Sequence, residues 1–488
     1  MSIASTPRKL KIFFLTAEAE PFIKIGGLGD YAGSLPAAIK QLSNRNFEID
    51  IRVALPFHKN INLQDFYPEK IDEIQINKKN GEEKGEVYRT QIEKITYYLI
   101  KQIRTYESDQ NVYAVDPLID GEKFVFFSLA CLAFLDKVNW LPDIIHTNDW
   151  HTALAVHQLA NNKKYTKNSK ISTILVIHNL PFLGAGTEKV LDSYFINPFK
   201  AESLPEWAQH QPLPMGIGNA DQIVTVSPSY AKEICTPEFG NGLEVFLSSK
   251  KEKIRGILNG VDTTTWDPTK DPLINTPFSK DDLSGKRKNK KHLLQQINLP
   301  IVENTPLLVS ISRLDRQKGI DIIIKALSSM GRTPWQFIIL GTGDKSLENA
   351  CIELQEKYPE NVRAIMRYDN SLAHQLFSAG DIFLMPSRYE PCGTSQMIAM
   401  RYGCVPVASA VGGLKDSIDN STKKRTGFLF SKVDEQSLRQ CLNKAIRMWL
   451  NKQEDWLSIQ LRAMQEDFSW NQSAQEYVQL YHHLKKDK

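Results

Sequence analysis

The sequence predicts an α/β protein built on two doubly wound parallel sheets, one in each half of the chain. Three observations carry this. Short, wholly apolar runs alternate with helical patterns, which is how strands buried on both faces of a parallel sheet read. The same opening, a β-rich run followed by a glycine-bearing or basic loop, occurs near residue 11 and again near residue 306. Between about 262 and 304, Pro268, Pro272, Pro277 and the charged run 286–291 interrupt the pattern. That break divides a chain of 488 residues, too long for one ordinary core.

The elements follow in order. Residues 11–16, Lys-Ile-Phe-Phe-Leu-Thr, form the first strand; the apolar stretch ends at Glu18 and Glu20, so it is a strand rather than a signal peptide. Runs at 51–55, 143–146, 171–178 and 222–226 supply further strands. The longest apolar stretch, 124–135, has about half the length a membrane span needs and is expected to be a buried helix. In the second half the strands are 306–312, 335–340, 362–366, 381–385 and 405–408. The run 286–291 is expected to be the solvated start of a helix leading into Leu293 and Leu294.

Composition narrows the class. Hydrophobic residues at 42% and charged residues at 24% are those of a globular chain. A net charge of +4, with scattered Lys and Arg, argues against nucleic acid as a partner. Six cysteines, among them Cys131, Cys235, Cys351, Cys392 and Cys404, include no Cys-x-x-Cys pair, so no zinc or redox motif shows. A large cysteine-poor chain fits a reducing compartment, such as the cytoplasm.

Five segments carry candidate chemistry. Lys24-Ile25-Gly26-Gly27-Leu28-Gly29-Asp30 follows the first strand and enters a helix. Paired glycines admit a ligand where a Cβ would block it, and a helix start offers free N–H groups to an anion. Lys24 adds a positive charge, and Asp30 can accept from a hydroxyl. The loop is neither a Gly-x-Gly-x-x-Gly fingerprint nor a phosphate loop ending in Gly-Lys-Ser/Thr, which counts against a dehydrogenase and an ATPase. Ser312-Arg313-Leu314-Asp315-Arg316-Gln317-Lys318-Gly319 follows the second domain's first strand. Arg313 and Lys318 stand at the carboxyl edge of that sheet, where ligands of such folds bind, and can stabilise a departing diphosphate. Arg316 is read as surface charge.

Arg388-Tyr389-Glu390-Pro391-Cys392-Gly393-Thr394 turns from the strand at 381–385 into a helix. Glu390 precedes proline and so should be extended, with its carboxylate directed out of the strand end. Such a carboxylate can hold sugar hydroxyls or a cationic sugar-like transition state. Cys392 lacks an evident base, which argues against a thiol nucleophile. Finally, His146-Thr147-Asn148-Asp149-Trp150-His151 and His178-Asn179 close two strands. Their spacing is too loose for a metal site, and no metal or cofactor is expected. Their side chains can hydrogen-bond a sugar, while Asn179 can alternatively serve as a local cap.

Together these segments resemble the bacterial glycogen synthases and plant starch synthases, nearly end to end. The resemblance rests on Lys24-Ile25-Gly26-Gly27-Leu28, on residues 146–150, on Asn259-Gly260-Val261-Asp262, on Ser312-Arg313 with Gln317-Lys318-Gly319, and on Glu390-Pro391-Cys392-Gly393. It implies a GT-B fold, two Rossmann-like domains facing across a cleft, here 1–262 and 263–469. The helix that follows Phe468-Ser469-Trp470, residues 470–488, would cross back to the first domain. It implies a retaining transfer of glucose from ADP-glucose to the 4-hydroxyl end of an α-1,4-glucan, glycogen or starch, without a metal. Lys24, Arg313 and Lys318 would hold the diphosphate, with Gly26 and Gly27 beside it. Asp149, His178 and Asn179 would line the glucose site, Glu390 would meet the glucose hydroxyls beside Cys392, Gly393 and Thr394, and Asp30 would shape the donor and acceptor side. Glu390, His178, Asp149 and Lys318 are the candidate catalytic residues. Ile398 stands where many members carry a second glutamate, eight positions after the first; Leu180-Pro181-Phe182-Leu183-Gly184 replaces Ala-Tyr-Gln-Gly; and Pro214 stands where a lysine is expected. These departures leave two other readings: a relative using UDP-glucose or a small acceptor, and a glucan-binding regulatory protein with impaired catalysis.

Overall fold

The computed structural model describes residues 8–44, 47–63, 66–104, 111–168 and 170–486. The chain forms two compact units, Met1–Gly260 with Trp470–Lys488, and Val261–Ser469. The division falls two residues before the expected 262, for a local reason. The Val261 N–H donates to the Phe468 carbonyl at 2.7 Å, and Val261 bridges Ser469, which ties both to the second unit. Gly260 lies so near the Trp470 backbone that a Cβ there would come within 2.6 Å of the Trp470 Cα.

The first unit holds β1 (Arg8–Leu15), β2 (Phe47–Pro56), β3 (Glu69–Lys78), β4 (Gly81–Ile92), β5 (Ile95–Gln102), β6 (Ile144–Asn148), β7 (Ser172–Ile177), β8 (Gln222–Thr225) and β9 (Ile254–Gly256). They form one sheet in the order β3-β4-β5-β2-β1-β6-β7-β8-β9. From β5 to β9 every pairing is parallel, and the central strands are buried on both faces. The antiparallel ribbon β3–β4–β5 at one edge is absent from the sequence expectation. β3 reads Glu-Lys-Ile-Asp-Glu-Ile-Gln-Ile-Asn-Lys, polar enough to leave one face to solvent. The apolar stretch 124–135 is a buried helix, Pro117–Leu135, packed in the first core beside Phe13, Tyr98 and Leu154. Among the described residues no helix is long and apolar enough to cross a membrane.

The second unit holds β10 (Leu307–Ile311), β11 (Gln336–Leu340), β12 (Val362–Ile365), β13 (Ile382–Met385), β14 (Val405–Ser409) and β15 (Phe428–Phe430). Their order is β12-β11-β10-β13-β14-β15, all parallel. Both sheets reverse direction of winding beside their first strand, between β1 and β6 and between β10 and β13. The loops leaving those four strands are where an open α/β sheet receives ligands, and they carry most of the candidate residues.

The charged run 286–291 corrects one expectation. It lies in the helix Ser284–Gln296, but Lys286 and Asn289 are buried. Lys286 Nζ donates to the carbonyls of Phe377 and Ser378, at the carboxyl end of the helix Asn370–Ala379, where a cation meets the negative end of the dipole. Lys290 pairs with Asp381 at 2.6 Å. The sixth cysteine is Cys441, and all six are free thiols.

Candidate active site

In the first unit the loop after β1 is organised by a residue that the motifs did not reveal. Glu18 is buried at 2% exposure. Its Oε2 accepts from the N–H groups of Ile25 and Gly26, and its Oε1 accepts from the Tyr113 hydroxyl at 3.0 Å. Burial raises its carboxyl above the usual range, against the pull of those bonds. Gly26 is extended, so the glycine pair is not there for a left-handed backbone. Nor does packing within the chain demand it: a Cβ at Gly27 would meet nothing within 4 Å, and one at Gly26 would meet Glu18 Oε1 at 3.9 Å, so open space lies over the pair. Lys24 and Asp30 form an ion pair at 2.5 Å, with Glu20 at 3.3 Å from the same ammonium. Burial pulls the Lys24 ammonium down, but the Asp30 charge beside it prevails and the net shift is upward.

At the end of β6, Asp149 opens the helix Asp149–Asn161 with φ of 53°, a left-handed backbone at a non-glycine residue. Its Oδ1 accepts from the backbone N–H of His178 at 2.7 Å and of Asn179 at 3.4 Å. Asp149 is buried, and burial raises its carboxyl to about 7, with the Glu18 charge acting in the same direction. Asn148 donates through Nδ2 to the Leu15 carbonyl, so its Oδ1 is left to accept from His178 Nε2–H at 3.0 Å. His178 is then the Nε2–H tautomer with a lone pair on Nδ1. Its pKa is lowered to about 3 by desolvation, although the residue keeps an edge open to solvent. Asn179 Oδ1 is buried and meets no hydrogen-bond partner among the described residues. Among the described residues no three His, Cys, Asp or Glu side chains are grouped to hold a metal. Phe182 is exposed, Leu183 buried, and Pro214 buried in the first turn of the helix Pro212–Asn219.

In the second unit the loops after β10 and β13 are laced together. Gly319 has φ of 69° and lies so close to the Pro386 carbonyl that a Cβ would come within 2.2 Å of it. The Arg388 N–H donates to the Gln317 carbonyl at 2.7 Å, and its guanidinium grips both Asp321 oxygens at 2.8 Å. Gln317 Nε2 donates to the Tyr389 carbonyl at 3.2 Å. This lacing brings Lys318 Nζ to 2.6 Å from Glu390 Oε2, and the same oxygen accepts from Ser387 Oγ at 2.9 Å. The Glu390 carboxylate is thus turned inward onto Lys318 rather than standing free at the strand end. Arg313 is exposed, held loosely by Asp315 and Gln317, and Arg316 is exposed as expected of surface charge.

Beyond the turn, Cys392 is buried, and Gly393 adopts φ of 70°. A Cβ at Gly413 would come within 2.1 Å of the Cys392 carbonyl, and the Gly413 N–H donates to the Glu390 carbonyl at 3.0 Å. Thr394 precedes the short helix Ser395–Arg401 without a side-chain bond to it, and Ile398 is buried within the helix. The structure therefore brings together Lys318 with Glu390, Asp149 with His178 and Asn179, and Lys24 with Asp30. The supporting residues Glu18, Tyr113 and Ser387 lie outside the candidate segments, while Asn148 and Arg388 lie within them but were assigned no role. Glu18 alone had a signal, as the first acid beyond β1 of a doubly wound sheet.

Known proteins share this arrangement of elements. Residues 11–249 match the starch synthase catalytic domain, and residues 294–459 match glycosyl transferases group 1. The chain is 36% identical to glycogen synthase of Streptococcus mutans, over 97% of this chain and 100% of that one. It is 38% identical to glycogen synthase of Clostridium perfringens, over 97% and 98%. The solved catalytic domain of starch synthase IV from Arabidopsis thaliana, bound to ADP and acarbose, superposes with a TM-score of 0.87 at 28% identity, over 98% of this chain and 99% of that one. Sucrose-phosphate synthase from Thermosynechococcus elongatus shares the fold, with a TM-score of 0.62 at 19% identity. The fold is GT-B, and the chain belongs to the glycogen synthase family of nucleotide-sugar glycosyltransferases.

Proposed function

We propose that this enzyme transfers glucose from ADP-glucose to the non-reducing-end 4-hydroxyl of an α-1,4-glucan, with retention at the anomeric carbon. The observation that carries the proposal is the Lys318–Glu390 pair, held by laced loops at the carboxyl ends of β10 and β13. A cation and a carboxylate fixed side by side suit a reaction in which a diphosphate gains charge while the sugar loses it. The bond between the anomeric carbon and the phosphate oxygen breaks, and a bond to the acceptor oxygen forms. The acceptor proton passes to the departing phosphate on the same face. Arg313 and Lys318, both on the second unit, supply positive charge for the departing diphosphate, so this mechanism calls on no metal or cofactor. Asp149 fixes the backbone of His178 and Asn179, whose side chains carry acceptor atoms of the kind that suit glucose hydroxyls.

Free thiols throughout and the family's bacterial members favour the cytoplasm as the place of action. The test is to incubate the protein with ADP-glucose and a maltooligosaccharide and to measure released ADP and product chain length. Release of ADP with chain growth supports the reading. Saturating donor without release favours a glucan-binding protein, and faster turnover with UDP-glucose would reassign the donor.

A further inference from the structure

Tyr31 lies on the helix Gly27–Gln41, just past the glycine loop, and is fully buried. Its ring stands edge-to-face against the His178 imidazole, with centroids 4.4 Å apart and planes at 79°. Its hydroxyl is 3.0 Å from His146 Nε2 and donates to the Tyr477 hydroxyl at 2.9 Å. The other His146 nitrogen, Nδ1, is 2.8 Å from the Tyr481 hydroxyl. All of these side chains are closed to solvent except His178.

The bonds have a direction. Buried His146 is neutral and carries one N–H. Tyr31 gives its proton to Tyr477, so its oxygen receives the His146 Nε2–H, and His146 Nδ1 receives the proton of Tyr481. The chain of bonds runs from Tyr481 through His146 and Tyr31 to Tyr477, the last acceptor. It begins and ends on the C-terminal helix, Trp470–Lys486. Phe14 stacks on His146 with centroids 4.4 Å apart, and Trp470 meets the Tyr31 ring edge at 5.6 Å, so the cluster is packed as well as bonded. His178 is fixed at one atom by Asn148 and along its backbone by Asp149. Besides these two bonds, the edge contact with Tyr31 packs directly against the ring and restrains its plane.

We infer that Tyr31 is a positioning residue: its ring orients the His178 imidazole, and its own place is set by hydroxyl bonds to His146 and to Tyr477, 446 residues away in sequence. The inference rests on the reading that His178 serves the glucosyl group. It makes the geometry of a candidate catalytic residue depend on the docked C-terminal helix, which touches no reacting atom.

The test uses the full-length protein with Tyr31→Phe, Tyr31→Leu and Tyr477→Phe. Tyr31→Phe keeps the ring and loses the hydroxyl; its kcat is expected to fall about tenfold, with KM for ADP-glucose within about twofold of the parent. Tyr31→Leu should fall further, and Tyr477→Phe should lie between parent and Tyr31→Phe. The 15N resonances of the His178 ring, recorded without substrate, should show one tautomer in the parent and an averaged or shifted signal in both Tyr31 variants. Lowered Tm with kcat and the His178 resonances unmoved would mean a merely structural role and would overturn the inference. If Tyr31→Leu does not fold, the Tyr31→Phe and Tyr477→Phe results decide. A parent that transfers no glucose refutes the reaction instead, and the substrate-free resonances still judge the role of Tyr31.

Discussion

Lys318 Nζ and Glu390 Oε2 stand 2.6 Å apart in a pair whose side chains are 16% and 6% exposed. Neither charge has much water to fall back on. Glu390→Ala should therefore abolish transfer, lowering kcat by about 100-fold or more. It should also cost stability, about 3 kcal/mol at most since Lys318 keeps some solvent contact. Glu390→Gln retains an oxygen for Ser387 and Lys318, so it should melt near the parent while losing comparable activity. Thermal melts beside ADP-release assays check the pair; near-parent turnover in either variant would remove Glu390 from the chemistry.

Glu18 holds the glycine loop by two amide bonds and a tyrosine hydroxyl. Glu18→Ala leaves those donors unpaired beneath the loop. The expected loss is about 2 kcal/mol of stability together with a raised KM for the nucleotide sugar. Hydrogen exchange at the amides of Ile25 and Gly26 should accelerate. Unchanged exchange there would show that the loop keeps its form without the carboxylate.

Gly27 and Gly29 should respond differently to the same methyl group. At Gly27 a Cβ enters open space, so Gly27→Ala should melt like the parent but bind donor more weakly. At Gly29 a Cβ would lie 3.0 Å from Lys24 Cβ and Cγ, so Gly29→Ala should displace Lys24 and lower Tm. Calorimetric titration of ADP into both variants separates the two effects. Equal ADP affinity for Gly27→Ala and parent would count against Gly27 as a ligand-facing position.

Acid should destabilise the first unit through its buried imidazoles. Desolvation holds His146, His151 and His178 at about 3 and His157 at about 4, against 6.5 for the free side chain. Between those values the unfolded chain binds protons that the folded chain does not. Stability is then complete above 6.5 and is lost as pH falls, by up to about 1.4 kcal/mol per pH unit for each group. Asp149, raised from 3.8 to about 7, acts the opposite way: its contribution is present below 3.8 and is lost as pH rises through 7. Tm measured from pH 7 to pH 4 should fall, and His157→Gln should flatten the slope. A flat parent profile would contradict the burial of these rings.

The sequence was legible where pattern and burial agree. Apolar runs such as 171–178 and 405–408 announce parallel strands because both faces are covered. The β3–β4 ribbon escaped because its mixed polar residues suit a strand with one wet face and resemble a surface loop. Lys286 misled because its charge is satisfied by carbonyls 91 and 92 positions away, which no local pattern shows. Among the candidate residues, Lys318 and Glu390 stand in dense motifs and so were legible as candidates. That their side chains pair is a property of the loops after two different strands. Glu18 and Tyr31 act through partners 95 and 115 residues away and had no motif to betray them.

The division of the chain also orders its own making. Residues 261–469 fold into the second unit from one uninterrupted stretch of sequence. The first unit is different, because Tyr477 and Tyr481 complete a cluster begun by Phe14 and Tyr31. During synthesis its sheet must wait, with Tyr31 and His146 uncovered, while the whole of the second unit is translated. That interval exposes an apolar surface that the cell's chaperones would have to guard.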